Sequence, residues 1–113
     1  MSEYITYLEK RMTETAKEEK RLIAAECKDE ANLEKIKNNV YGICKTMYEV
    51  AQKQIKSNDE AANFYNRKLE HLETTWGEAY EKAKQFSDAE KVLVEEIKLA
   101  VLKEARAEFK AQA

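Results

Sequence analysis

The 113-residue sequence contains no proline and only two glycines, so nearly every position is compatible with regular secondary structure. This scarcity excludes collagen-like chains and turn-rich all-β folds, and two cysteines are too few for the disulfide framework of a small secreted domain. The longest run without a charged side chain, 38–44, has seven residues and is too short to span a bilayer. Charged residues make up 37% of the chain. The composition therefore indicates one domain, residues 1–113, built from long helices.

Charge is spread evenly along the chain, and this argues against two classes of partner. Lys and Arg number 20 against 22 Asp and Glu, and no segment concentrates the positive charge that nucleic-acid phosphates or an anionic membrane surface require. The first residues have neither the basic region nor the apolar region of a secretory signal peptide. We therefore expect a cytoplasmic protein that binds neither nucleic acid nor membrane.

Asp and Ser residues mark the predicted helix boundaries. Both types satisfy the free N–H groups at a helix N-terminus and compete with backbone hydrogen bonds inside a helix. Apart from one Ser near the N-terminus, they occur only at positions 29, 57–59 and 87–88. Ser57 and Ser87 are each followed by Glu three residues later, which is the capping-box pattern. These positions divide the chain into four helical segments of about 25 residues.

The apolar residues of the second and third segments predict an antiparallel hairpin, because in each segment they recur at alternating steps of three and four. The second series runs Leu33, Ile36, Val40, Ile43, Met47, Val50 and Gln54, and the third runs Ala62, Tyr65, Leu69, Leu72, Trp76, Ala79, Ala83 and Phe86. Since the two series mirror each other about the turn between them, Val40 is expected opposite Trp76 and Val50 opposite Tyr65. The fourth segment is expected to fold back on the third, with Ile97 opposite Trp76.

The first segment is the least regular, because Glu19 and Glu26 interrupt its apolar series. A turn near Lys28–Glu30 would separate it from the second segment, whereas a continuous helix over 3–56 would place two acidic residues consecutively on the packed face. We favour the turn. The predicted fold is all-α, an antiparallel bundle of four long helices, or of three if 3–56 is one helix. No repeat shorter than a helical segment is present.

Side chains with catalytic or metal-binding chemistry are few. The single histidine, His71, excludes di-iron bundles, which need one His on each of two helices. The hairpin register places Cys44 opposite His71, but two ligands are too few for a closed zinc site. The chain has no Gly-rich phosphate loop and no Cys-x-x-Cys pair. We therefore expect no catalytic residue, no metal ligand and no cofactor.

Clustered glutamates keep an enzymatic alternative open. They resemble the Glu-x-x-Glu sets of helical magnesium-dependent hydrolases, which also need acidic side chains from a neighbouring helix. The pairs are Glu18 with Glu19, Glu78 with Glu81, and Glu95 with Glu96. Because all three Asp are placed at helix starts, a small Mg- or Mn-dependent hydrolase using Glu side chains is the second interpretation.

Tyrosine is the residue type in excess, with six in the chain, and it suggests an interaction surface. Tyr41, Tyr48 and Ile55 lie beside the packed series of the second segment and extend a second stripe. This stripe either contacts another helix of the same chain or forms an intermolecular surface, because Tyr is enriched at interface cores. We predict a non-enzymatic interaction or self-association module, which forms homo-oligomers or binds another protein and has no small-molecule substrate.

Overall fold

Four α-helices and the short connections between them make up residues 2–112, the part of the chain that a computed structural model describes. They are α1 (Ser2–Ala24), α2 (Lys28–Gln54), α3 (Asn58–Gln85) and α4 (Ala89–Gln112). Helix α1 packs mainly against α2, and α3 packs mainly against α4, while α2 also lies along α4. The predicted all-α antiparallel four-helix bundle is confirmed, and the alternative of one continuous helix over 3–56 is wrong.

The two helical hairpins, α1–α2 and α3–α4, close through the same type of turn. In the first, Glu26 adopts a left-handed backbone with φ of 62°, and the next N–H, of Cys27, donates to the Leu22 carbonyl at 2.8 Å. In the second, Ser87 adopts φ of 53°, and the following N–H donates to the Ala83 carbonyl at 3.0 Å. Both are Schellman motifs, in which a left-handed residue ends one helix and reverses the chain.

The first of these turns lies slightly before its predicted position. Residues 25–27 connect α1 to α2, whereas the sequence predicts a break near Lys28–Glu30. Asp29 and Glu30 lie instead in the first turn of α2. Carboxylates are favourable there because the N-terminus of a helix carries partial positive charge.

The predicted N-cap at Ser57 is confirmed, and the one at Ser87 is wrong. The Ser57 hydroxyl accepts a hydrogen bond from the backbone N–H of Glu60 at 3.4 Å, at the start of α3. At the start of α4, the Asp88 carboxylate accepts from the N–H of Lys91 at 3.1 Å. Ser87 cannot cap α4 because it occupies the left-handed position that ends α3.

Helix α2 is rotated relative to its predicted packing. Ile43 and Val50, which the sequence places on the packed face, are each 39% exposed, whereas Tyr41, Cys44 and Tyr48 are buried. The reason is that α2 packs more extensively on α1 and α4 than on α3, so the face opposite α3 is not its main contact surface. The mirrored spacing relates α2 to α3 alone, whereas α2 contacts all three other helices.

The two hairpins repeat one another at a spacing of 61 residues, the separation of Tyr4 from Tyr65. The residues that are identical at this spacing are Tyr4 and Tyr65, Leu8 and Leu69, Glu9 and Glu70, Thr13 and Thr74, Glu34 and Glu95, Ile36 and Ile97, Lys37 and Lys98, and Val40 and Val101. Their interactions repeat as well. Glu9 pairs with Lys45 at 3.1 Å in the first hairpin, and Glu70 pairs with Arg106 at 2.9 Å in the second. The bundle is therefore two versions of one helical hairpin packed against each other.

Candidate functional site

Four aromatic rings, here called the aromatic tetrad, meet between the hairpins, near the start of α1 and the end of α4. They are Tyr4 of α1, Tyr48 of α2, Tyr65 of α3 and Phe109 of α4. Tyr4 and Tyr48 lie 5.1 Å apart between ring centroids, and their counterparts Tyr65 and Phe109 lie 4.9 Å apart. Across the hairpins, Tyr4 to Phe109 and Tyr48 to Tyr65 are both 5.2 Å. The rings thus meet in matching pairs, as an approximate two-fold arrangement requires.

A chain of hydrogen bonds passes through the tetrad and joins all four helices. The Tyr4 hydroxyl on α1 donates to the carbonyl of Ala105 on α4 at 3.0 Å. Because this uses its only proton, the 2.8 Å bond to the Tyr65 hydroxyl on α3 has Tyr65 as the donor. The Cys44 thiol on α2 is also hydrogen-bonded to Tyr65. The series therefore runs from Cys44 through Tyr65 and Tyr4 to Ala105.

Burial keeps the thiol and the two phenols of this chain protonated. Desolvation raises the pKa of the Cys44 thiol to about 11, although the hydrogen bond with Tyr65 opposes the shift. Burial also raises the pKa of Tyr4 and of Tyr65 above the usual range of a phenol. A thiol acts as a nucleophile or metal ligand only as the thiolate. Cys44 is therefore a buried, uncharged thiol at neutral pH.

A second polar cluster joins the hairpins at the boundary between α1 and α4. The Glu104 carboxylate accepts hydrogen bonds from the hydroxyls of Tyr7 and Tyr41, the latter at 2.7 Å, and from Nε of Arg11 at 3.3 Å. The same Arg11 nitrogen donates to the Tyr41 oxygen at 3.0 Å, and the guanidinium carbon lies 5.2 Å from the centre of the Tyr41 ring. Arg11 also pairs with Glu14 at 2.9 Å. We call Tyr7, Arg11, Tyr41 and Glu104 the Glu104 cluster.

The charges of the Glu104 cluster are fixed rather than poised for proton transfer. Burial opposes ionisation of Glu104, but the hydrogen bonds from Tyr7, Tyr41 and Arg11 outweigh it and lower the pKa of the carboxyl. Burial and the adjacent carboxylate raise the pKa of Tyr7 above the usual range of a phenol and that of Tyr41 to about 12. A general acid or base works best with a pKa near the operating pH. The cluster is suited to holding α1, α2 and α4 together.

The corresponding positions in the other hairpin are mostly apolar. At the 61-residue spacing, the position that matches Glu104 is occupied by Ile43 of α2. Leu102 matches Tyr41, and Leu72 matches Arg11. The α1–α4 boundary is therefore closed by charged and phenolic groups. The equivalent α3–α2 boundary has no such cluster, and it leaves Ile43 partly exposed.

An uncharged face, here called the α2 stripe, extends from this boundary along the outside of α2. Its members are Asn32, Ile36, Asn39, Ile43, Thr46, Met47, Val50 and Gln54, which share one side of the helix. At 1.5 Å per residue the α2 stripe is about 33 Å long. In a chain with 37% charged residues, it carries no charge, although Lys35 and Lys53 border it near its ends. The matching face of α4 carries Glu104 and Glu108.

The residues predicted as an interaction surface lie inside the bundle or at its edge. Tyr41 is fully buried and Tyr48 is 4% exposed, and both contact other helices of the same chain. Ile55 is half-buried at the C-cap of α2 and packs against the core. Tyr41 and Tyr48 therefore present little area to a partner. The hairpin register places Cys44 opposite His71, but the two do not form a site, because Cys44 is buried beside Tyr65 and His71 is exposed.

The glutamates of the hydrolase interpretation do not converge. Glu18 is bound by Arg21 of the same helix at 3.0 Å, and Glu78 and Glu81 are exposed on α3. Glu95 is buried and forms an ion pair with Lys98 at 3.1 Å. Within residues 2–112, no three His, Cys, Asp or Glu side chains are grouped so that they could hold a metal ion.

Comparison of the chain with known proteins gave no match. No protein-family model matches it, and no curated protein or solved structure is significantly similar to it. Within the described residues, none of the helices has a stretch that is both long and apolar enough to cross a membrane.

Proposed function

We propose that this protein is a non-enzymatic, cytoplasmic interaction module whose partner is a second copy of itself. The observation that carries the proposal is the α2 stripe, which is uncharged over about 33 Å and has Ile43 and Val50 each 39% exposed. The matching face of α4 carries the charged residues Glu104 and Glu108, and the Glu104 cluster covers part of that face. The two hairpins differ at this face, and the α2 side has the composition of a contact surface.

A second copy fits the α2 stripe better than a charged partner does. In a symmetric dimer each surface patch meets the same patch of the other subunit, so a charged patch would face its own charge. An uncharged stripe avoids this repulsion. It also offers Asn39 and Thr46, which are exposed and can hydrogen-bond across the contact. Two α2 helices lying side by side would cover Ile43 and Val50 of both copies.

Light scattering of the reduced native protein over a hundredfold concentration range tests the proposal. We expect the mass to rise with concentration from 13.2 kDa towards twice that value. The double variant Asn39→Glu/Thr46→Glu should remain at 13.2 kDa, because four new carboxylates would face one another in the dimer. Both positions are exposed, so the fold should be retained.

The matched control is Thr74→Glu/Thr75→Glu, which adds the same charge at exposed positions of α3. We expect it to associate like the wild-type protein. A wild-type mass that stays at 13.2 kDa throughout, or an equal loss of association in both double variants, would contradict the proposal. Thermal denaturation with Mg²⁺ and Mn²⁺ tests the hydrolase alternative, since a metal that binds only the native state raises its melting temperature.

A further inference from the structure

The contact between the two hairpins is a contact between nearly equivalent halves. Each cross-hairpin distance in the aromatic tetrad has a matching distance when the halves are exchanged, with Tyr4 to Phe109 and Tyr65 to Tyr48 both at 5.2 Å. The hydroxyls of Tyr4 and Tyr65, which are counterparts, bond directly to each other. Each hairpin also has its own ion pairs and its own turn, closed by hydrogen bonds that involve no residue of the other hairpin.

The connection between the hairpins differs from the turns inside them. Ile55 has an extended backbone, with φ of −117° and ψ of 117°, and its N–H bonds back to Ala51 within α2. Ser57 is likewise extended, with φ of −80° and ψ of 128°, and its hydrogen bonds go forward to α3. Among the described residues, no backbone hydrogen bond holds α2 and α3 in the reversed direction across 55–57. These are ordinary extended angles that any residue can adopt. The connection can therefore also take a straighter path between α2 and α3.

From these two observations we infer that two copies of the chain exchange hairpins. In the exchanged dimer, α1–α2 of one copy packs on α3–α4 of the other, and two four-helix bundles are formed. Every contact between the hairpins is made again with the same residues, and only residues 55–57 change conformation. This is the low-cost route to a dimer that domain swapping provides.

Hairpin exchange has the same partner as the proposed function, a second copy of the chain, and shares nothing else with it. Exchange uses the inner faces of the hairpins, so it does not depend on the α2 stripe. It also requires the bundle to open, which makes it slow, whereas contact through the α2 stripe forms between folded molecules. Dilution of the native protein reports on contact through the α2 stripe, whereas refolding of mixed chains reports on hairpin exchange. The two experiments therefore distinguish the two modes of association.

The pair Arg11 and Glu104 gives a direct test, because Arg11 belongs to the first hairpin and Glu104 to the second. In the variant Arg11→Glu two carboxylates meet within one chain, and in Glu104→Arg two guanidinium groups meet. When the two variants are refolded together, exchange pairs each new charge with its opposite in both bundles. We expect a heterodimer of about twice 13.2 kDa by native mass spectrometry, with a melting temperature above that of either variant alone.

Two controls separate exchange from other association. In the single-chain double variant Arg11→Glu/Glu104→Arg the new charges pair within the chain, so refolding it should give no excess of dimer over the wild-type protein. The variants Glu70→Arg and Arg106→Glu alter an ion pair inside the second hairpin, where exchange restores nothing. The absence of a heterodimer in the first mixture, or an equal amount in the second, would overturn the inference.

The connection offers an independent test that involves no charge. Replacing residues 55–57 by three alanines favours a continuous helix from α2 into α3, and such a chain can form the bundle only with a second copy. We expect a folded dimer at every concentration. A folded species of 13.2 kDa, or a chain that loses its helical circular dichroism, would overturn the inference. Adding Asn39→Glu/Thr46→Glu should leave this dimer unchanged, so a failure of the α2 stripe does not affect the result.

Discussion

The hydrogen-bonded chain from Cys44 to Ala105 predicts that two similar substitutions have different costs. Tyr4→Phe and Tyr65→Phe each remove one buried hydroxyl from the aromatic tetrad. The Tyr4 hydroxyl donates to Ala105 and accepts from Tyr65. The Tyr65 hydroxyl donates to Tyr4 and is also hydrogen-bonded to the Cys44 thiol.

The difference lies in the groups that each variant leaves behind. Tyr4→Phe removes two buried hydrogen bonds and leaves the Tyr65 donor without its acceptor. A buried hydrogen bond contributes about 1 kcal/mol and an unsatisfied buried polar group costs about 1–3 kcal/mol, so we expect a loss of about 3 kcal/mol in the free energy of unfolding. Tyr65→Phe leaves Tyr4 still donating to Ala105, and we expect a loss of about 1 kcal/mol.

Urea denaturation followed by circular dichroism measures both values, and an unchanged slope would show that the denatured states are comparable. Tyr80→Phe is the matched control, because the Tyr80 ring lies half-buried beside the Lys84 ammonium at 5.1 Å and outside the tetrad. It should change stability by less than about 0.5 kcal/mol. If Tyr65→Phe proved as costly as Tyr4→Phe, the assigned direction of the hydrogen bonds would be refuted.

Three other properties follow from single residues. Because the pKa of Glu104 is lowered on folding, its contribution to stability is present above the unfolded value of about 4.3 and is lost as the pH falls through the folded value. Glu104→Gln should therefore be less stable than the wild-type protein at pH 7, and the two urea midpoints should converge as the pH falls through the folded value. Glu26→Gly and Ser87→Gly should each raise the free energy of unfolding by about 1 kcal/mol in urea, since glycine adopts the left-handed conformation without the Cβ clash; lower stability would contradict this. In the native protein at pH 8, a thiol reagent should label the half-buried Cys27 and leave the buried Cys44 unmodified, and equal labelling would show that Cys44 is accessible.

The helices and the pairing of α3 with α4 could be predicted because they depend on local signals. The capping position at Ser57 and the period of the apolar residues are both read within one segment. The structure places the Lys98 ammonium 4.6 Å from the centre of the Trp76 ring, one residue from the predicted partner Ile97. The buried face of α2 could not be predicted in the same way, because it depends on the relative closeness of three neighbouring helices. A pairwise comparison with α3 selects Ile43 and Val50 and misses Tyr41.

No local sequence pattern predicts the Glu104 cluster. Tyr7 and Arg11 reach Glu104 across 97 and 93 positions of the sequence, so no motif links them. The 61-residue repeat was present in the sequence, but its identities are sparse and isolated, as with Tyr4 and Tyr65. A comparison of the chain with itself at that spacing would have related the two hairpins. It would also have matched Glu104 with the apolar residue Ile43.

The separation of Tyr4 from its partners has a consequence for folding during synthesis. Its hydroxyl bonds to Tyr65, 61 residues later, and to Ala105, 101 residues later. The first turns of α1 therefore complete their packing only after nearly the whole chain has left the ribosome. Until then the first hairpin exposes the rings that will form its half of the tetrad, and such transient apolar surface is prone to association. Nascent chains on neighbouring ribosomes of one messenger RNA would present these faces to each other before either bundle had closed.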